Sequence, residues 1–178
     1  MIELSPGAAE AGTDKAGTLI GEEDSSEALE TAYRAALDSA VRSLSQREHG
    51  RRELAQKLRR KGHPAILIDR VLDYLAEHDL QCDGRFAESF VYSRVQRGYG
   101  PIKIRQELGA RGVAEGDLEA ALTLTDEEWR AVAARVLERK FDGKPLDRED
   151  WATQARFLAR RGFPSDVIYG LLGSQSDG

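Results

Sequence analysis

The sequence predicts an all-α protein: three tandem three-helix repeats forming an elongated, curved helical array, preceded by a disordered acidic tail. Three observations carry this expectation. Leu58, Leu108 and Leu158 each stand three residues before a basic residue, Lys61, Arg111 or Arg161, and each of these is followed by a glycine, Gly62, Gly112 or Gly162. Leu72, Leu122 and Leu172 lie ten residues past those glycines, with Ile68, Leu118 and Ile168 four residues earlier. A pattern that returns every 50 residues marks stacked copies of one supersecondary unit. Second, apolar residues recur with a 3.6-residue period and no stretch shows the strict alternation of a strand. Third, residues 1–27 are rich in Gly, Ala, Ser, Thr and Glu and have no period at all. Such a segment buries too little apolar area to offset its ordering entropy.

The elements follow in order. Leu29, Tyr33, Ala36, Leu37, Ala40, Val41 and Leu44 fall on one stripe of a first helix. A second helix runs from about Gly50 to Arg60 with Leu54 and Leu58 inward, and Gly62 stops it as a left-handed cap. Pro64 opens a third, where its fixed φ and missing N–H cost nothing, and Ile68, Val71, Leu72 and Leu75 line it. Asp83 is placed to cap a fourth helix carrying Phe86, Phe90, Val91 and Val95. Gly98, Tyr99 and Gly100 break that helix, and Pro101 starts the next, with Ile104 and Leu108 inward. Leu118, Ala121 and Leu122 mark the sixth. Thr125 and Glu128 have the spacing of a capping box, ahead of a helix lined by Trp129, Val132, Val136 and Leu137. Gly143 and Pro145 mark a turn. Trp151, Ala155 and Leu158 lead to Gly162, and Pro164 opens a last helix with Ile168, Leu171 and Leu172. The expected units are 28–80, 81–124 and 125–173, followed by a short tail, 174–178. A unit of this size buries little surface alone, so neighbours should stack, with contacts mostly between nearest neighbours.

The net charge of -5 hides an asymmetry. Residues 1–30 hold eight acids and one base, so the rest of the chain is +2. From Arg47 to Lys61 there are seven bases and two acids. An acidic segment is thus joined to a locally basic body, which fits either a solvated helix face or a patch that meets nucleic acid or an acidic protein. Cys82 is the only cysteine, which excludes an intrachain disulfide and a zinc ribbon. The N-terminus has no basic region followed by an apolar stretch, so no secretory signal is visible. The longest apolar runs are far too short to span a bilayer, and the expected location is cytoplasmic.

Two clusters are candidate contact surfaces. Arg51, Arg52, Lys57, Arg59, Arg60 and Lys61 crowd the second helix. They suit contact with phosphates or carboxylates, and equally solvation with dipole complementarity at the helix end. Arg85, Arg94, Arg97, Lys103 and Arg105 surround Tyr92 and Tyr99, and bases interleaved with aromatics suit stacking and phosphate contact. Phe86 and Phe90, at i and i+4, read as core. Catalytic signals are absent: His49, His63 and His78 have no metal spacing with each other or with Cys82. His63 aligns with Val113 and Phe163 in the other copies, which gives it a structural role. The acid pairs Glu127/Glu128 and Glu149/Asp150 sit where helix N-termini favour them. No cofactor is expected. The helix–Gly–helix units resemble a helix-turn-helix in outline, but Ile66, Leu67 and Ile68 occupy the third helix where base-reading side chains would stand.

Three stretches carry a more specific resemblance: RRELAQKLRRKGHP (Arg51 to Pro64), CDGRFAESFVYSRVQRGYGPIKIRQELGARGV (Cys82 to Val113) and FLARRGFPSDVI (Phe157 to Ile168). In this order they resemble the RecX family, bacterial regulators of the RecA recombinase, over roughly Leu37 to Leu172. Cys82 stands where the family often has a second acid, and Gly50 stands near a position commonly held by serine or threonine. The resemblance implies a non-enzymatic array of three three-helix repeats that binds the RecA–DNA filament. There it would block growth or promote disassembly, damping strand exchange, ATP hydrolysis and the co-protease activity behind the SOS response. It implies a RecA nucleoprotein filament as partner, with single- or double-stranded DNA as a direct partner of some members, and a monomeric protein. A stand-alone DNA-binding protein of helix-turn-helix type is the alternative from another class.

Overall fold

A computed structural model describes residues 16–173, with side chains from Ser25 onward. Among the described residues there are nine helices and no strand. The first unit comprises α1 (Ala16–Leu44), α2 (Arg51–Arg60) and α3 (Ala65–Glu77). The second comprises α4 (Asp83–Gln96), α5 (Pro101–Ala110) and α6 (Glu115–Ala121), and the third α7 (Asp126–Glu138), α8 (Arg148–Arg161) and α9 (Ser165–Leu172). Every major helix pairing lies within one unit. No helix among the described residues is long and apolar enough to cross a membrane.

Of the expected acidic tail, residues 1–15 lie outside the described residues, as does the segment 174–178. α1 begins at Ala16, within the segment 1–27. Residues 25–29 of this helix are all exposed, Leu29 included. Further along, α1 buries Ala36, Ser39, Ala40 and Ser43, whereas Leu29 and Val41 face solvent. The inward face is thus rotated from the stripe drawn through the larger apolar residues. The two serines are tolerated inside because they are bonded. Ser43 Oγ donates to the Ser39 carbonyl at 2.9 Å, and Ser39 Oγ lies 3.3 Å from His63 Nε2. His63 therefore ties the α2–α3 turn to α1.

The glycines after α2, α5 and α8 have φ of 85°, 81° and 86°, the left-handed cap that the repeated glycine predicts. The capping box of α7 is present, with Thr125 Oγ1 accepting from the Glu128 N–H and the Glu128 carboxylate accepting from the Thr125 N–H. These hydrogen bonds hold the Glu128 carboxyl below its ordinary 4.5.

The α2 N-terminus departs from expectation. Gly50 offers no side chain to cap it. Instead the Arg51 N–H donates to Asp83 Oδ1 at 2.7 Å, and Gln81 Nε2 donates to the same oxygen at 2.7 Å. Asp83 therefore caps the second helix of the first unit rather than its own helix, whose cap position, Cys82, makes no side-chain cap bond. An alanine at position 50 would bring its Cβ within 3.0 Å of the Phe86 ring, so the bare glycine is what lets the second unit close on the α2 end.

The two junctions differ in kind. Units two and three share one buried cluster, running from Phe86 through Leu108, Trp129 and Leu158 to Ile168, while unit one keeps its own around Leu54, Leu58, Ile68 and Leu75. At the second junction backbone meets backbone: the Gly100 N–H donates to the Arg161 carbonyl at 2.8 Å, and the Ile102 N–H to the Gly162 carbonyl at 3.1 Å. The first junction is made largely by polar side chains. Arg85 bonds Glu48 at 3.1 Å and Asp79 at 2.7 Å, and the buried Gln81 donates to the His49 carbonyl at 3.3 Å. Neighbouring units thus stack in two ways: the second and third share one apolar core, and the first joins the second through polar side chains.

Candidate anion-binding groove

The first junction leaves an open surface between α2 and the α4–α5 pair. It consists of two clefts, of about 320 Å³ and about 510 Å³. Glu53 and Arg111 line both, so the two form one groove. The smaller cleft is bounded by Phe86, Ser89, Phe90 and Ser93 on α4, with Arg47, Arg94, Arg97 and Arg111 around them. The larger one runs along α2, past Arg52, Gln56, Arg59 and Arg60, to Ala110 and Arg111 on the other side.

The cations expected at a contact surface fall into two groups. Arg51 bonds Asp73 at 2.6 Å, Arg85 is held by Glu48 and Asp79, and Arg94 forms an ion pair with Glu107 at 2.7 Å. Arg105 pairs with Glu115 and, at 3.0 Å, with Glu119. These four are committed to internal carboxylates. Arg52, Lys57, Arg59, Arg60, Lys61, Arg97 and Lys103 belong to none of the ion pairs among the described residues. Of these seven, Arg52, Arg59, Arg60 and Arg97 line the groove. Glu48 and Glu53 line the groove too, but they pair with Arg85 and Arg47, so these four cations lack a paired carboxylate and an anion entering the groove lowers their mutual repulsion.

Tyr99 is half-buried and enclosed by cations: Arg94, Arg161 and Lys103 lie 5.4, 5.5 and 5.6 Å from its ring centre. It is one rung of a longer alternation. Arg111 and Arg94 lie 4.6 and 4.8 Å from the Phe90 centre. Arg161 lies 4.9 Å from Phe157, which meets Phe141 edge-on at 5.4 Å. Guanidinium and ring thus alternate from the groove into the third unit. Each such contact is worth about 0.5–1 kcal/mol at exposed sites.

Arg111, Arg47 and Phe90 are groove residues that the sequence does not single out as contacts. Arg111 is visible as the second copy of the repeated basic position, but its repetition speaks for structure. Phe90 has core spacing, yet it is half-buried and lines the groove.

Beneath the groove wall lies His49, 3% exposed. Its Nδ1 is 3.3 Å from Glu53 Oε2. Burial and the neighbouring Arg47 and Lys57 hold the imidazole below its ordinary 6.5, against the pull of Glu53. Burial pushes the Glu53 carboxyl up, but hydrogen bonds and charge from Arg47, helped by His49, leave it below 4.5. Below pH 6.5 the unfolded chain takes up a proton that folded His49 resists, so stability falls as the pH drops. Glu53 contributes stability above 4.5 that is lost as the pH falls through its folded value. Chemical denaturation at neutral pH and near pH 5 should therefore show a loss at the lower pH. His49→Gln should shrink that loss, and an unchanged loss would remove His49 as its source.

Among the described residues no group of His, Cys, Asp and Glu side chains is arranged to hold a metal ion.

Three sequence models of the RecX family match this chain in order: the first three-helix domain at residues 36–75, the second at 83–122 and the third at 126–172. The chain belongs to the RecX family. The regulatory protein RecX of Halorhodospira halophila is 51% identical over 138 residues, which cover 77% of this chain and 86% of that protein. The RecX protein of Pseudomonas putida strain GB-1 is 47% identical, with 77% and 88% covered. Among solved structures, a regulatory protein RecX superposes with a TM-score of 0.71 at 26% identity, covering 92% of this chain and 80% of that one. RecX from Lactobacillus salivarius superposes with a TM-score of 0.68 at 24% identity, with 80% and 95% covered, which shows the shared fold. The family thus accounts for the three-unit helical array, and the chain is a RecX-family regulatory protein.

Proposed function

We propose that this RecX-family protein is a negative regulator of RecA. It binds the RecA–single-stranded DNA filament and inhibits its growth and its recombinase, ATPase and co-protease activities, with consequences for DNA repair and the SOS response. It acts as a cytoplasmic monomer, by stoichiometric binding rather than turnover. The observation that carries this reading is the groove, where Arg52, Arg59, Arg60 and Arg97 stand without internal carboxylate partners. A long anionic filament supplies the missing counter-charges. Lys57 and Lys61 extend that contact along α2. Arg51, Arg85, Arg94 and Arg105 hold the surface in shape through their internal pairs, and Tyr99 with Lys103 packs the second junction.

A stand-alone DNA-binding protein of helix-turn-helix type is less well supported. α3, which would be the reading helix of the first unit, exposes Ile66, Asp69 and Asp73, with Arg70 as its one exposed cation, a face poor in phosphate-binding and base-reading side chains.

The test is RecA ATPase on single-stranded DNA with increasing amounts of the purified protein. Inhibition that saturates near a fixed ratio of protein to filament is expected. A flat response at every ratio would remove the regulatory reading.

A further inference from the structure

The two ends of α7 carry complementary surfaces that the groove does not use. α7 has 13 residues and so spans about 20 Å. Beside its start lies an apolar hollow of about 400 Å³, lined by Val91, Val95, Ala121 and Leu124, with Tyr92 and Glu88 at its edge. Beside its end lies a second hollow, of about 280 Å³, lined by Leu137, Phe141, Pro145, Leu171 and Leu172. Each hollow has a protruding apolar side chain next to it. Tyr92 is 69% exposed, and Leu146, which follows Pro145, is 92% exposed. Gln154, 5% exposed, lines the second hollow. Its Nε2 donates to the Gly143 carbonyl at 3.3 Å, and its amide oxygen suits the hydroxyl of an incoming phenol.

The ends also differ in charge. From Asp117 to Glu128 there are five acids and no base, and from Arg135 to Lys144 four bases and two acids. Glu88, Asp126 and Glu127 at one end, and Arg139, Lys140 and Lys144 at the other, belong to none of the ion pairs among the described residues. Charges so placed also complement the α7 dipole, but the dipole has no need of an exposed tyrosine and leucine beside them. We infer that copies of this chain meet head to tail, the start of α7 in one against the end of α7 in the next. Tyr92 enters the hollow of Leu137 and Phe141, Leu146 enters the hollow of Val91 and Leu124, and the acids face the bases. Because the two surfaces differ, the contact is heterologous and repeats into an open row. It is a small contact of the transient class, so the free chain stays a monomer. A long partner that holds copies side by side raises their effective concentration and turns the contact into cooperative loading. For that last step the inference rests on the regulatory reading.

The test uses the full chain in a Cys82→Ser background with Glu88→Cys and Lys144→Cys, one cysteine at each hollow, both at exposed positions. A short bis-maleimide is applied to concentrated free protein and to protein on RecA filaments. The double variant should give a ladder of dimers, trimers and longer products. Either single variant should give little product, and a mixture of the two should stop at dimers. Adding Tyr92→Ala or Leu146→Glu, both on exposed side chains, should cut the ladder by about tenfold, as loss of one buried anchor does. With the native cysteine restored and no cross-linker, RecA ATPase should fall sigmoidally as the wild-type chain is added. Tyr92→Ala and Leu146→Glu should make that curve hyperbolic and raise its midpoint by about tenfold.

The head-to-tail contact is overturned if the double variant gives no ladder in either setting, or if a single variant forms dimers by itself. It is equally overturned if Tyr92→Ala and Leu146→Glu leave the inhibition curve as in wild type, or if the cysteines join RecA in place of a second copy. Inhibition that is hyperbolic and without a ladder removes the contact and keeps the regulator. A ladder from the free protein with no inhibition at any ratio does the reverse.

Discussion

Gly162→Ala should lower the melting temperature by about 10 °C. The residue sits at φ 86°, where a side chain is strained. A Cβ there would also lie 2.5 Å from the backbone nitrogen of Lys103 and 3.0 Å from its Cα. Backbone atoms cannot rotate away, so relief requires moving the end of α8 off the start of α5. That breaks the hydrogen bonds from Gly100 and Ile102 and opens the cluster that units two and three share. Strain and overpacking together cost about 3–4 kcal/mol, and a chain of this size loses about 2–4 °C for each kcal/mol. Gly62→Ala is the matched control. Its φ is 85°, but no atom lies within 4 Å of the added Cβ, so only the strain remains, about 1 kcal/mol. Equal shifts in the two variants would mean that the second junction is not a close backbone contact.

Reversing the charge of Arg59, Arg60 and Lys61 to glutamate should weaken filament binding by about a hundredfold or more near 0.1 M salt, because three cations that neutralise phosphate are removed at about 0.7 decades each. All three are exposed and outside the internal ion pairs, so the fold should persist, with only the modest loss of stability that acids at a helix C-terminus bring. Arg85→Glu offers the contrast. It puts a carboxylate beside Glu48 and Asp79 and should lower stability, with weaker binding following from the loosened first junction. Filament affinity unaffected by the triple reversal would take this end of α2 out of the interface.

The sequence carries the architecture well, because the fold is written in local rules. Leu54, Leu58, Ile68, Leu108 and Leu158 are apolar at helical spacing and are all fully buried. Gly62, Gly112 and Gly162 stop helices because no other residue adopts that φ freely. What the sequence hides is whatever depends on contact between units. Nothing local tells that Asp83 turns its carboxylate to α2, 32 residues back in the chain, since an acid at the start of α4 serves that helix equally well on paper. Composition likewise does not separate Arg94, ion-paired with Glu107, from Arg97, which lines the groove outside the ion pairs among the described residues. Both are arginines at the end of one helix, three residues apart, and only the position of α5 distinguishes them.

The borrowed cap on α2 bears on how the chain is made. Synthesis releases the first unit before Asp83 leaves the ribosome, and domains tend to fold in that order. Until α4 has emerged, the start of α2 has no side chain to accept its Arg51 N–H. The first unit can collapse on its own core, but its second helix is completed by the neighbour that follows. The repeats are therefore not interchangeable beads: the N-terminal one is finished only once its neighbour has begun, by a carboxylate translated after it.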